Sequence, residues 1–578
     1  MRYFIYLISI LFISACQMQA DTNKSTPNAP NVIIILTDDQ GWGDVHLHGN
    51  DSLQTPTLDF LAQNSQNFDR FYVSPVCAPT RAAMLTGRYP ARTGVTGVTN
   101  REEVMRTGEV TLAEILQENG YTTGMFGKWH NGEQFPNNPL GQGFDQFFGF
   151  TAGHWNNYFN TQLNYNGTMV STEGYITDLL TDSALTFIEK NQNNPFLCYL
   201  AYNTPHSPFQ VPEQYFQKYK AMGFDDKNAS VYGMVENIDD NVERVMEQLQ
   251  NLKLDKNTIL IFFTDNGPNG HRYNGSMKGV KGWVDEGGIR VPFYLYHPGR
   301  YNATKTIKNI AGHIDILPTV LDLCEIELPA GLQLDGKSLV SLMEGAPNWQ
   351  ERYIYTNWGG KGSLRNDRYR LVIQQKDTFL YDMYHDPGQH LDIYSKEQIT
   401  GKEMAAAYEK IQENVNKLGT NPPPIPVGYD EAPVISMPAH EATLHQGLQY
   451  KEGHGWANDW IVNWTSTSAF ATWRIEVVQA GDFQVNLKYN TPDGSGALVQ
   501  VKIGEKIIES NISEDFPGEP IESPDWVPRK EVYERTWGNL DAGTIHLEPG
   551  EYELQILAKD IPEATAMELK AVELVKVK

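Results

Sequence analysis

The feature that most constrains this chain is a repeated pairing of a helix-forming stretch with a short apolar run that ends in polar residues. "NVIIILTDDQGWGD" (31–44) opens the series. "TLAEILQENGYTTGMFGKWH" (111–130), "DLLTDSALTFIEKNQNNPFLCYLAYNTPHSPF" (178–209) and "NVERVMEQLQNLKLDKNTILIFFTDNGPNG" (241–270) repeat it. A continuous apolar run reads as a strand buried on both faces, as in a parallel sheet. Alternation of such strands with helices predicts an α/β fold with a mostly parallel sheet sandwiched by helices. Ligands of such sheets gather at the carboxyl ends of the strands. Four runs here end in Asp38–Asp39, Lys128–Trp129–His130, Pro205–His206 and Asp265–Asn266.

A chain of 578 residues exceeds one ordinary core, so two or three domains are expected. The catalytic-type α/β unit is assigned to 31–345. Residues 346–420 read as a small antiparallel subdomain ("RYIYTNWGG…LYDMYHDPG") closed by the helix "EMAAAYEKIQENVNKL". The proline-rich stretch 421–437 reads as a linker. From 438 to 578 the pattern changes to alternation: Phe483, Val485, Leu487 and Tyr489 share one face, and so do Tyr552, Leu554 and Ile556. Short alternating strands with turns between them predict a β-sandwich. Its Trp456, Trp460, Trp464 and Trp473 are assigned mainly to core, with sugar stacking as the alternative for the first three. The sandwich is expected to pack on the α/β unit and to shape one side of its entrance, because the connecting segment carries apolar residues that a free tether would not need.

At the amino terminus, Arg2 precedes an apolar run over 3–13 and "ISAC". The run is short for a membrane span. It resembles a lipoprotein signal over 1–15, cleaved so that a lipidated Cys16 begins a tether over 16–30; an ordinary secretory signal cut nearby is the alternative. The expectation is an exported protein, lipid-anchored at a bacterial outer membrane and facing periplasm or cell surface. A net charge of −25 argues against a nucleic-acid partner. It also requires that any site for an anion concentrate cations locally.

The chain has four cysteines: Cys16, Cys77, Cys198 and Cys324. Cys198 lies in an apolar strand and Cys324 in an apolar helix, and both read as structural. Cys77, in "SPVCAPTRAAMLTGRYP" (74–90), precedes a helix and stands four residues before Arg81. A cysteine there is a buried apolar residue, a disulfide half, a metal ligand or an activated nucleophile. Asp38, Asp39, Asp265 and Asn266 are hard oxygen donors that suit Ca²⁺ or Mg²⁺ rather than zinc. Arg81, Lys128 and Lys281 supply the cations that stabilise a developing oxyanion.

Seven motifs in fixed order resemble the formylglycine-dependent sulfatases of the alkaline-phosphatase superfamily, and in particular the lipoprotein sulfatases of polysaccharide-degrading bacteria. They are "DDQG" (38–41), "CAPTR" (77–81), "GKWH" (127–130), "PHSPF" (205–209), "TDNG" (264–267), "KGWVDEGGIRVPF" (281–293) and "LYDMYHDPG" (380–388). The resemblance implies that a maturation enzyme oxidises Cys77 to Cα-formylglycine, reading Pro79 and Arg81 as its signal. It implies one Ca²⁺ held by Asp38, Asp39, Asp265, Asn266 and the modified Cys77. A hydrated aldehyde at 77 then attacks sulfur, Arg81, Lys128 and Lys281 hold charge, His206 protonates the leaving group and His130 takes the second diol proton. The arginine usual before the last lysine is Lys278 here, a substrate-side candidate together with His154, His271 and Arg272. The implied substrate is a sulfated carbohydrate, by analogy an algal polysaccharide of ulvan or carrageenan type. The alternatives are a phosphonate or phosphate ester hydrolase of the same superfamily, or a non-catalytic sulfated-glycan-binding protein.

Overall fold

The computed structural model describes residues 29–346, 349–419 and 421–577; the expected signal over 1–15 and Cys16 lie outside the described residues. Among the described residues no helix is long and apolar enough to cross a membrane.

The four apolar runs form adjacent strands at the centre of a ten-stranded sheet. In spatial order they are Thr258–Thr264, Asn31–Thr37, Phe196–Ala201 and Thr122–Lys128. All three pairings between them are parallel, and Gln146–Phe150 extends the parallel block. Every residue of Asn31–Thr37 is buried. Its side chains alternate between two cores: Val32, Ile34 and Leu36 join one cluster, Ile33 and Ile35 the other. That two-sided burial is why the run lacks polar alternation. Antiparallel strands finish both flanks: Phe293–Tyr296 beside Thr258–Thr264, and Gln162–Tyr165 with Thr168–Ser171 beyond Gln146–Phe150.

The small subdomain is a four-stranded antiparallel sheet of Ile354–Trp358, Lys361–Arg365, Tyr369–Gln374 and Asp377–Asp382. Helix Gln398–Val415 covers it through Met404 and Tyr408, which pack with Leu364, Leu371 and Leu380.

The carboxyl-terminal unit is two facing sheets around a separate core. Phe483, Val485, Leu487, Leu554 and Ile556 point inward as their alternation predicts, whereas Tyr552 is only half-buried. Trp460, Trp464 and Trp473 are core residues. The stretch expected as a linker, 421–437, is instead part of this unit. Ile425–Val427 pairs in parallel with Phe470–Val477, and Val434–Pro438 pairs antiparallel with Glu568–Lys576. Both are edge additions, where proline costs no ladder bond on its open side.

The sandwich packs on the α/β unit. Arg101 donates to Glu441 Oε1 at 2.9 Å and Gln134 donates to Glu441 Oε2 at 2.9 Å. The Trp526 ring lies on Phe216 with centroids 3.9 Å apart and planes at 6°.

Candidate active site

The carboxyl ends of the four central strands converge, and each delivers its polar residues to one cleft. Asp38 and Asp39 follow Asn31–Thr37, Lys128 closes its strand, and Asp265 and Asn266 follow Thr258–Thr264. All five side chains are buried. Asp39 and His130 have φ of 67° and 63°, a left-handed conformation that is uncommon without glycine and clusters at functional sites. The glycine of "TDNG" has a steric reason: a Cβ on Gly267 would stand 2.2 Å from the Gly287 carbonyl.

Cys77 is the first residue of helix Cys77–Thr86 and is buried. One donor atom from each of Asp38, Cys77 and Asp265 lies within 4.8 Å of the others, and Asp38, Asp39 and His206 form a second such group. Arg81, fully buried, donates to Asp265 Oδ2 from Nη2 at 2.8 Å and from Nε at 3.2 Å, and to the Lys128 carbonyl at 2.8 Å. It therefore ties the Cys77 helix to two strand ends. Lys128 Nζ sits 2.5 Å from Asp38 Oδ2, and Lys281 Nζ sits 2.6 Å from Asp39 Oδ1. Asn266 and Asn269 donate to the two oxygens of Asp39 at 2.8 and 3.0 Å.

Burial penalises the Asp38 charge, yet Lys128, His206, Arg81 and Lys281 together hold its carboxyl well below the usual range. Asp265 is pushed up, first by burial and then by the Asp38 charge. The group fits a bound divalent cation on three counts. Asp38 Oδ1 and Asn266 Oδ1 are buried with no hydrogen-bond partner. The donors are hard oxygens. Finally, Asp38 and Asp39, together with Asp265, which a bound cation would hold ionised, balance the charges of Arg81, Lys128 and Lys281, so a divalent ion would leave the cleft positive and ready for an anion.

The two histidines are differentiated by their hydrogen bonds. His130 Nε2 lies 3.0 Å from the Val98 carbonyl, which can only accept, so Nε2 carries the proton. Its Nδ1 is buried and unpartnered. Burial, then the Lys128 charge, lowers its pKa well below the ordinary value, so the ring is a neutral base with a free lone pair. His206 is the reverse: Nδ1 faces the Ser207 carbonyl at 2.7 Å, and Nε2 points to Asp39 Oδ2 at 3.7 Å. Tyr158 fixes this corner by donating to the carbonyls of His206 and Ser207 at 3.1 and 2.9 Å.

The substrate-side candidates separate. His154 belongs to the cleft: its ring stacks over His206, centroids 6.4 Å apart, and its Nε2 is buried and unpartnered. Burial, then the His206 charge, keeps it neutral. His271 is exposed on the loop after Asn266. Arg272 does not fit the substrate role expected for it. Its guanidinium is 3% exposed and forks onto Asp44, with Nε donating at 2.8 and 3.0 Å. It braces the strand-end loop instead. Lys278 is likewise engaged, with Tyr381 Oη at 3.0 Å and Asp285 Oδ1 at 3.3 Å.

Sequence reasoning missed Asn269, Tyr158 and Ser207. It also missed Thr80, whose hydroxyl donates to the Asp265 carbonyl at 2.7 Å. Thr80 lies inside "CAPTR" and Ser207 inside "PHSPF", so both were open to notice; Asn269 and Tyr158 carry no local signal.

Comparison with known proteins accords with this geometry. Residues 30–326 match the family model described as Sulfatase, and residues 280–418 match that described as N-sulphoglucosamine sulphohydrolase, C-terminal. The chain is similar to the uncharacterized sulfatase YdeN of Escherichia coli K12, at 31% identity over 62% of this chain and 75% of YdeN. It is similar to mouse N-acetylgalactosamine-6-sulfatase, at 32% identity over 58% of this chain and 69% of the relative. Among solved structures it resembles Ps i-CgsB in complex with k-i-k-neocarrahexaose, with a TM-score of 0.63 and 29% identity over 66% of this chain and 92% of that one. With its site built on the strand ends where this resemblance lies, the chain belongs to the sulfatase family and is a sulfuric ester hydrolase.

Proposed function

We propose that this protein removes sulfate esters from a sulfated carbohydrate, an algal polysaccharide of carrageenan or ulvan type or its oligosaccharides. The observation that carries the reading is the convergence of Cys77, the oxygen cluster and three cations in one buried cleft. Similarity to a structure holding a carrageenan-type oligosaccharide supports the substrate class.

In this reading Cys77 is oxidised to formylglycine, and its hydrated aldehyde supplies the oxygen nucleophile. Asp38, Asp39, Asp265 and Asn266, with residue 77, would hold one Ca²⁺, which when bound favours ionisation of that nucleophile and draws electron density from the sulfate. Arg81 keeps the helix that carries residue 77 in register with Asp265. Lys128, at the end of its strand, and Lys281, on the loop that follows Asp265 and Asn266, face the sulfuryl oxygens, and their charge counts for most where water is excluded. His206, with Nδ1–H held by the Ser207 carbonyl and a second proton on Nε2, acts as the imidazolium and delivers the Nε2 proton to the departing sugar oxygen as the sulfur–oxygen bond breaks. His130 Nδ1 accepts the proton of the remaining hydroxyl, so that sulfate leaves and the aldehyde re-forms. We further place the protein outside the cytoplasm, anchored through a lipidated Cys16; release into the soluble fraction on Cys16→Ser tests this.

The deciding experiment is a panel of aryl sulfate, aryl phosphate and phosphate diester substrates, with sulfated oligosaccharides of both types. Sulfate release without phosphate-ester turnover supports the proposal. Faster turnover of the phosphate monoester or diester contradicts it and favours the alternative hydrolase.

A further inference from the structure

We propose that the β-sandwich completes the active site, with Glu531 acting as a positioning residue for His206 through Ser207. The inference rests on the functional reading above and extends it to a residue outside the 30–418 region matched by the sulfatase family models.

Glu531 lies in the long loop between strands Lys506–Asn511 and Gly538–Leu547 of the sandwich. Ser207 Oγ donates to Glu531 Oε1 at 2.5 Å, a distance typical of a hydroxyl bound to an ionised carboxylate. The same hydroxyl is 3.4 Å from His206 Nδ1, and the Ser207 carbonyl is the 2.7 Å partner of that nitrogen. Ser207 is thus held from both sides, by Tyr158 on its carbonyl and by Glu531 on its hydroxyl. Burial opposes ionisation of Glu531, and the Ser207 hydrogen bond and the His206 charge outweigh it, so Glu531 remains a carboxylate.

The approach is built rather than incidental, because the loop is fastened along the chain that follows His206. Gln210 Nε2 donates to Asp525 at 2.6 Å, the Trp526 backbone N–H donates to the Phe209 carbonyl at 3.1 Å, and Trp526 Nε1 donates to the Val211 carbonyl at 2.9 Å. A second sandwich segment reaches the neighbouring histidine, where Asn458 Nδ2 donates to the His154 carbonyl at 2.9 Å. The consequence is chemical. A ring that must protonate a leaving oxygen needs Nε2 aimed at it, and the Nδ1 side is where that aim is fixed.

The test is a leaving-group series on Glu531→Ala, Glu531→Gln and Ser207→Ala, with melting temperatures recorded. A positioned acid contributes roughly 10²- to 10⁴-fold, and most where the leaving group is basic. Glu531→Ala is expected to lower kcat on sugar or alkyl sulfates by roughly tenfold or more, and on 4-nitrophenyl sulfate by about twofold at most, with KM nearly constant. Glu531→Gln, which still accepts from Ser207, recovers much of the loss. Crystals of Glu531→Ala should show the His206 ring in more than one orientation. That readout holds whatever the substrate proves to be: a wild-type enzyme inert on every sulfate refutes the functional reading, whereas an unmoved ring in Glu531→Ala refutes the positioning role. An equal loss across all leaving groups, or a loss that tracks melting temperature, also overturns it.

Discussion

Arg101 is the joint between the two large units, and its removal is the sharpest test of how they are held. Nη1 donates to Gln134 Oε1 at 3.0 Å and to Glu441 Oε1 at 2.9 Å, and Nε donates to the Pro423 carbonyl at 3.2 Å. The Glu441 side chain is fully buried, with the charges of Glu133 and His440 beside it. Burial raises the Glu441 pKa and the Arg101 charge opposes that rise, so Arg101→Ala leaves the buried acid without the charge that favours its ionised form. Breaking one half of a buried ion pair costs about 3–5 kcal/mol, largely the penalty of the charge left behind. The further hydrogen bonds are worth about 1 kcal/mol each, but water entering at the junction offsets them, so about 4 kcal/mol is expected. Arg101→Ala combined with Glu441→Gln no longer strands a charge, so the double variant should be more stable than the sum of the singles by about 2 kcal/mol. Urea unfolding followed by tryptophan fluorescence reports both units, since Trp460, Trp464 and Trp473 are in the core of the sandwich and Trp129 is in the core of the α/β unit. A loss under about 1 kcal/mol for Arg101→Ala, or additivity within about 0.5 kcal/mol, would refute the reasoning.

Three further expectations concern the active site and its surroundings. Cys77→Ala should abolish turnover with an unchanged melting temperature, since alanine suits a helix start and the truncation is one atom; residual sulfate release would move the nucleophile elsewhere. Chelation should remove activity and lower the melting temperature, and Ca²⁺ should restore both better than Zn²⁺, because the donors are oxygens; full activity in protein shown metal-free by elemental analysis contradicts this. Glu103, buried beside Glu441, has its pKa pushed up to about 7, first by burial and then by the Glu441 charge. An acid raised in the folded state binds more protons there than when unfolded, so its contribution is fully present below about pH 4.5 and is lost as pH rises to about 7, roughly 3 kcal/mol in all. Glu103→Gln should flatten stability across that window; an unchanged pH slope would show that Glu103 does not titrate there.

What was legible in the sequence follows from distance along the chain. The strands announced themselves because burial on both faces leaves only apolar residues, and their polar ends marked the cleft within a residue or two. The alternation at 483–489 exposed the sandwich in the same way. Prolines in 421–437 read as a linker because proline weakens a strand signal, yet the segment sits on sheet edges where that weakness is tolerated. Arg272 looked available because it adjoins the loop after Asp265 and Asn266, and nothing local reveals that Asp44, 228 residues away, holds it. Glu531 is the extreme case: its partner Ser207 lies 324 residues upstream, in another domain, and no spacing rule connects them.

The central claim is that a modified Cys77 performs sulfate-ester hydrolysis in this cleft. Protein co-produced with a formylglycine-generating enzyme should yield a peptide containing residue 77 that is about 18 Da lighter than the thiol form, the change expected when a thiol-bearing carbon becomes an aldehyde. The measurement that tests the claim most directly is sulfate release from a sulfated oligosaccharide, quantified against the fraction of that lighter peptide across preparations. The account predicts that rate rises in proportion to conversion and extrapolates to zero for the unconverted thiol. A rate independent of conversion, or no sulfate release from a fully converted protein supplied with Ca²⁺, would contradict it.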